Sequence, residues 1–159
     1  MKSAVVSLLV VATLFGSLTA TAEGACPRTV GSKSLGPPFP DSSHWYGSES
    51  FAVQLPPDGT WPTTAPGARI AVKLFWWSAG FKPGMELDLI VTLKELNGAA
   101  ANAVVSRATN AHAESLGGWT MLTGIDFPEA GCWEITGRYL GQELKFVVET
   151  VRSAPRGSA

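Results

Sequence analysis

The chain has few of the residues that most catalytic and metal sites need. Its 159 residues include two histidines, His44 and His112, and two cysteines, Cys26 and Cys132. It contains no H-x-H or H-E-x-x-H sequence and no Cys–His spacing typical of a zinc site. A Gly-x-Ser-x-Gly elbow, a phosphate-binding glycine loop and a dinucleotide motif are also missing. We therefore predict a protein that is not an enzyme and holds no cofactor, with a metal or hydrolytic site around His112 as the weakest alternative.

Charge of one sign is nowhere concentrated in the chain. There are 12 Lys and Arg residues against 13 Asp and Glu residues, which gives a formal net charge of −1. A nucleic-acid or anionic-membrane partner would be expected to select for a basic patch. The even distribution of charge therefore argues against both kinds of partner.

Long apolar runs are confined to the start of the chain. Residues 4–15 are mostly apolar, follow Lys2 and precede Ala20-Thr21-Ala22, whose small side chains suit a leader cleavage site. We predict that residues 1–22 are a secretory signal peptide and that the protein is exported to the periplasm or the extracellular space. An uncleaved anchor is the alternative. No second run of spanning length follows, so no transmembrane span is expected in the mature chain.

The two cysteines have two interpretations. In an oxidising compartment Cys26 and Cys132 can form a disulfide that closes a loop of about one hundred residues. Gly24-Ala25-Cys26 also partly fits a lipoprotein signal, although Glu23 stands where such signals carry an apolar residue. Lipid attachment and the disulfide exclude each other because both need the Cys26 sulfur. Since Cys132 adjoins the inward-facing Trp133, its disulfide partner must lie over the outer face of the sheet.

The strongest strand signals lie in residues 127–151. Pro128 and Gly131 interrupt the chain before the first of two segments in which alternate residues are apolar, and Gly141 lies in the turn between the segments. The residues on the inward face are Trp133, Ile135, Leu144, Phe146 and Val148. The pattern predicts an antiparallel hairpin.

Shorter strand candidates precede this hairpin. They cover residues 51–55, 69–77, 87–94 and 103–108. Asn97-Gly98 lies between the last two candidates and is a strong signal for a two-residue hairpin turn. We interpret 111–118 as a connection with at most one helical turn.

This series of short strands, without a long amphipathic helix, predicts an all-β fold. We expect an immunoglobulin-like (Ig-like) antiparallel β-sandwich, with a small β-barrel as the alternative. The predicted organisation is a signal peptide, an irregular lead-in at 23–43, the sandwich domain at 44–151 and a flexible tail at 152–159.

Aromatic side chains are the best candidates for binding a ligand. The strand alternation sends Trp77 and Phe75 away from the core face that holds Trp76. Four further aromatic residues are predicted in loops, where recognition residues concentrate. They are Trp45, Tyr46, Trp61 and Trp119. The alternative is that these rings fill the core, pin loops to the sheet or lie beneath the lead-in.

Four sequence patterns carry a resemblance to a family. They are His44-Trp-Tyr-Gly-Ser-Glu, Leu55-Pro-Pro-Asp-Gly-Thr-Trp61, Lys73-Leu-Phe-Trp-Trp77 and Phe127-Pro-Glu-Ala-Gly-Cys-Trp-Glu-Ile-Thr-Gly137. Together they resemble a group of uncharacterised exported bacterial proteins with an Ig-like domain, over most of the mature chain. The resemblance implies a fold, a compartment and a bacterial source, but no activity. We expect a structural or protein-binding module of the cell envelope, with an envelope protein or a glycan as its partner. A carbohydrate-binding protein is the alternative.

Overall fold

The computed structural model describes residues 25–32, 39, 44–62, 70–98 and 103–152. The predicted signal peptide, most of the lead-in and the predicted tail beyond Arg152 lie outside these residues. Within the described ranges, no helix is long and apolar enough to cross a membrane.

The described residues form strands and one short 3-10 helix. In chain order the strands are β1 (Trp45–Gly47), β2 (Phe51–Gln54), β3 (Thr60–Pro62), β4 (Ile70–Ser78), β5 (Ile90–Glu95), β6 (Val104–Val105), β7 (Thr109–Ala113), β8 (Gly118–Phe127), β9 (Gly131–Tyr139) and β10 (Gln142–Val151). The 3-10 helix, Glu114–Leu116, joins β7 to β8.

The strands form two sheets that pack face to face, which confirms the predicted sandwich. One sheet has the order β1-β2-β4-β8-β6, and β7 also pairs with β8. The other has the order β3-β10-β9-β5. In Ig nomenclature β2, β4, β8 and β6–β7 correspond to strands A, B, E and D, while β5, β9 and β10 correspond to C, F and G. Two separate sheets, rather than one closed sheet, exclude the barrel alternative for the described part of the chain.

The core between the sheets is built around two tryptophans that the alternation predicted as buried. Trp76 on β4 and Trp133 on β9 are both almost completely buried. The indole N–H of Trp76 donates a hydrogen bond of 3.0 Å to Thr123 Oγ1. Gly137 on β9 lies against the Trp76 ring, and a Cβ atom at this position would overlap with the ring. The sandwich therefore uses a glycine in a central strand to accommodate a large ring from the opposite sheet.

The predicted hairpin of β9 and β10 is confirmed, with antiparallel pairing from Gly131 to Tyr139. Its connection is Leu140-Gly141, with φ angles of 47° and 75°. Positive φ at both residues defines a type I′ turn, whose twist matches that of the flanking strands. Leu140 adopts the left-handed backbone conformation, which is unfavourable for a residue with a large side chain. The hairpin therefore forms despite an unfavourable residue in its turn.

The predicted hairpin at Asn97-Gly98 is wrong. β5 pairs with β9, whereas β6 pairs with β8 in the opposite sheet. Neither Asn97 nor Gly98 has the positive φ that a two-residue turn requires. The chain crosses from one sheet to the other at this point, because both strands have longer partners elsewhere.

Two other segments differ from the expectation. Residues 87–89 precede β5 and are not in a strand. Residues 111–113, predicted as part of a connection, belong to β7 and pair with the start of β8. The strand signal there is weak because the exposed edge carries Thr109, Asn110 and His112 rather than apolar residues.

The described part of the lead-in, residues 25–32, runs along one side of the sandwich. Cys26 is bonded to Cys132 on β9, which confirms the predicted disulfide. The backbone N–H of Thr29 donates to Val147 O at 2.8 Å, and the Val147 N–H donates to Thr29 Oγ1 at 2.9 Å. Ser32 then exchanges two backbone hydrogen bonds with Trp45 on β1. The lead-in therefore joins the edges of both sheets.

Candidate functional site

The two candidates predicted to face outward, Trp77 and Phe75, lie on the outer face of the six-stranded sheet. They pack against a second apolar cluster formed by Phe39, Trp45, Ala52 and Leu116. The ring of Phe39, a residue of the lead-in, lies 4.9 Å from that of Trp77, measured between centroids. Phe39 thus covers one side of Trp77, as the alternative of a lead-in packed over this face predicted. A flat sugar platform centred on Trp77 is not present in this arrangement.

The other four aromatic candidates lie in strands, which corrects their predicted placement in loops. Trp45 and Tyr46 lie in β1, and Trp61 lies in β3. Trp45 is 1% exposed, because Phe39 packs on it at 4.9 Å. Tyr46 and Trp61 are half-buried against the main core. β1 and β3 are only three residues long and are held by distant partners, so no local periodicity identifies them.

Trp119 is the exposed member of the set. It is the second residue of β8, and 45% of its surface is accessible to solvent. The other five tryptophans are buried or half-buried. Its cross-strand neighbour on β7 is His112, and their ring centroids are 4.8 Å apart. The sequence predicted both residues as candidates, but for different functions and without placing them together.

Three exposed apolar side chains lie at the same end of the sandwich, which we call the loop end: Met85, Trp119 and Leu140. Met85 lies in the connection from β4 to β5 and Leu140 in the turn from β9 to β10. The two connections contact each other, because the Leu140 side chain packs on Gly80. A Cβ atom on Gly80 would lie only 2.8 Å from Leu140 Cδ1. The register of β4 and β8 ends with Trp76 opposite Met121. If it is extended by two residues, Ser78 lies opposite Trp119. The loop end is therefore contributed by both sheets.

A buried tyrosine lies directly beneath the loop end. Tyr139, the last residue of β9, is almost fully buried and packs near Phe51. Burial raises the pKa of the Tyr139 phenol above its ordinary value, and the negative charge of Asp88 raises this pKa further. The phenol is therefore neutral at physiological pH.

A cleft lined by both polar and apolar residues lies at the opposite end, beside the disulfide. Its volume is about 510 Å³, and its lining includes Cys26, Glu95, Asn97, Cys132 and Arg152. Gly98 and Gly131 both lie against the carboxylate of Glu95, since a Cβ on either would come within about 3 Å of it. This cleft opens where the described segments of the lead-in and the C-terminal region end.

Several charged groups of the described residues form exposed ion pairs. On the outer face of the four-stranded sheet, Arg138 pairs with Glu143 at 2.6 Å and Lys145 with Glu134 at 3.4 Å. Such exposed cross-strand pairs contribute at most about 1 kcal/mol to stability. Among the residues that the structure describes, no group of three or more His, Cys, Asp and Glu side chains could hold a metal ion. The ring contacting His112 is that of Trp119.

Comparison of the chain with protein-family models, with curated proteins and with solved structures found no match. The loop end and the cleft are thus candidates on the basis of their geometry alone. Three of the exposed large apolar residues of the described chain lie at the loop end, and none of them lines the cleft.

Proposed function

We propose that this protein is an exported, non-catalytic Ig-like module of the cell envelope that binds a protein partner through its loop end. The observation that carries the proposal is the exposure of Met85, Trp119 and Leu140 at one end of the fold. Their exposed fractions are 39%, 45% and 55%. Exposed apolar side chains on the same part of an otherwise polar surface are typical of interaction sites.

The framework beneath these residues suits a binding site. Loops held by a rigid sandwich are the usual position of recognition residues in Ig-like proteins. Trp119 supplies a large amphipathic ring, the side-chain type most enriched among residues that dominate interface energies. Leu140 lies at the tip of a two-residue turn, which leaves it little freedom to lose on binding.

Export is part of the proposal and is supported by two features. The first 22 residues have the pattern of a secretory signal peptide. The Cys26–Cys132 disulfide is typical of proteins that fold in an oxidising compartment. The same bond occupies the Cys26 sulfur, which supports a disulfide-bonded exported protein over the alternative of a lipid anchor at Cys26.

Carbohydrate binding remains a second proposal, with Trp119 as its stacking residue. An exposed indole beside His112 offers one ring face and one polar group to a sugar. Titration with oligosaccharides, followed by the fluorescence of Trp119 against a Trp119→Phe variant, tests it. The lack of a saturable change that depends on Trp119 would contradict sugar binding at this position.

The intact mass of the native protein tests export. A mass that starts at Glu23 and gains two reactive thiols only after reduction is expected. A mass that retains residues 1–22 in the purified envelope fraction would contradict cleavage of the leader.

Site-specific photo-crosslinking in the native envelope tests the binding surface. A photoreactive residue at position 140 should give a discrete protein adduct, and Trp119→Ala should reduce its yield. Lys145, exposed on the outer face of the four-stranded sheet, is the matched control position. Equal adducts from positions 140 and 145, or an adduct indifferent to Trp119→Ala, would contradict the loop end as the contact surface.

A further inference from the structure

The edges of the two sheets are protected to different degrees. A free sheet edge exposes a row of backbone N–H and C=O groups that can pair with another strand. The lead-in pairs with a strand at one edge of each sheet: Ser32 pairs with Trp45 on β1, and Thr29 pairs with β10 next to β3. The edge formed by β6 and β7 is interrupted at residues 106–108; β6 has only two residues, Val104 and Val105, and β7 carries mainly polar ones. β5 is the longest of the described edge strands, and its residues from Ile90 to Leu93 include three apolar side chains.

The backbone groups that β5 exposes follow from its pairing with β9. Leu96, which continues this pairing, donates its N–H to Cys132 O at 2.8 Å. Because antiparallel strands alternate between hydrogen-bonded and non-hydrogen-bonded pairs, the even-numbered residues of β5 bond to β9. The N–H and C=O groups of Val91 and Leu93 therefore point away from the sheet. They have no hydrogen-bond partner in the described part of the chain.

The side chains of β5 are suited to pairing with another strand. Val91 and Leu93 face the core and are only half-buried, because the sheet ends beside them. Ile90, on the outer face, is 58% exposed. Lys94 is the one charged residue on the outer face of this strand. A further strand on this edge would cover the apolar side chains on both faces.

We propose that the occupant of this edge is the β5 strand of a second copy of the same chain. Antiparallel pairing with the two-fold axis at Thr92 keeps every side chain on its own face. Val91 then forms a hydrogen-bonded pair with the partner subunit's Leu93, and the reciprocal pair forms across the axis. The two four-stranded sheets become one continuous sheet.

The pattern of β5 is compatible with itself in this register. Thr92 faces the partner subunit's Thr92 in a non-hydrogen-bonded pair, a combination that favours antiparallel pairing. Lys94 lies opposite the partner subunit's Ile90, so no like charges face each other. The net charge of −1 opposes association only weakly.

Disulfide trapping of a Thr92→Cys variant tests the register. Cα atoms in a non-hydrogen-bonded pair are about 4.5 Å apart, which is within the range of a disulfide. Under mild oxidation this variant should give a covalent dimer in which Cys26 and Cys132 remain paired, as read by peptide mapping. Lys145→Cys, exposed on an interior strand of the same sheet, should remain monomeric. Equal trapping at both positions, or trapping at position 145 alone, would overturn the proposal.

Sedimentation equilibrium tests the same edge without new thiols. The wild-type protein should show a concentration-dependent dimer, and Thr92→Lys should raise its dissociation constant roughly fivefold by placing like charges opposite each other. Thr109→Lys, at an exposed threonine of β7, is the control and should leave the dissociation constant unchanged. A wild-type protein that stays monomeric at every concentration, or a dimer that is indifferent to Thr92→Lys, overturns the proposal.

Discussion

Removal of the Cys26–Cys132 disulfide should destabilise the fold strongly. The two cysteines are 106 residues apart in sequence. In the chain-entropy model, opening a loop of this length restores conformational freedom worth about 4.7 kcal/mol to the unfolded chain. Since a domain of this size unfolds with a free energy of about 5–15 kcal/mol, a third or more of the stability depends on this bond. The expected fall in Tm is on the order of 15 °C.

The measurement is urea denaturation of three forms: oxidised, reduced, and the double variant Cys26→Ala/Cys132→Ala. The midpoint should fall in the last two forms, with little change in the slope if the native sandwich is retained. Amide exchange locates the effect, because the Val147 N–H is held by Thr29 of the lead-in. Its protection should fall more than that of amides in β4 and β8. A reduced protein with two free thiols and an unchanged midpoint would refute the loop-entropy reasoning.

Four further predictions concern single positions. Trp133→Ala should cost about 3–5 kcal/mol by leaving a cavity in the core. Trp119→Ala, at an exposed tryptophan, is the matched control and should cost less than about 0.5 kcal/mol. If urea denaturation shows the same loss of stability for both variants, the assignment of Trp133 to the core is contradicted. Gly137→Ala should cost about 1–3 kcal/mol because its methyl group meets a buried ring, and an unchanged Tm would show that the core can shift. Leu140→Gly should stabilise the hairpin turn by up to about 1 kcal/mol, which a lower urea midpoint would contradict. The free energy of unfolding should fall as the pH rises above about 10. In the unfolded chain tyrosine ionises at this pH, whereas the raised pKa of Tyr139 keeps it protonated in the folded protein. The Tyr139→Phe variant should lose part of this pH dependence in thermal melts at alkaline pH.

Local patterns predicted the parts of the fold that depend on neighbouring residues. The alternation around Trp133 and Ile135 placed both in the core, and Gly141 marked the turn that returns the chain. Here the strand, the turn and the partner strand are contiguous in sequence. The same reasoning failed at Asn97-Gly98, because local turn preference does not determine which strand becomes the partner of β5.

The candidate site shows the same division. Composition and alternation singled out Trp77 and Trp119 among the aromatic residues, but their accessibility depends on residues far away in the chain. Phe39 covers Trp77 from the lead-in, whereas Trp119 contacts His112 on a neighbouring strand and remains exposed. Exposure of a ring is a property of what packs against it, and this information is not contained in the pattern of its own strand.

The amino-acid sequence by itself determined the all-β class, the last hairpin and the pairing partners available to form a disulfide. These follow from side-chain alternation, turn residues and the presence of two mature cysteines, all of which act locally or by composition. Only the tertiary structure decided that the lead-in pairs with β1 and β10, that the outer edge of β5 has no partner strand among the described residues, and that Met85, Trp119 and Leu140 lie at one end. These features arise from contacts between residues distant in sequence, whose formation depends on the packing of the whole sandwich.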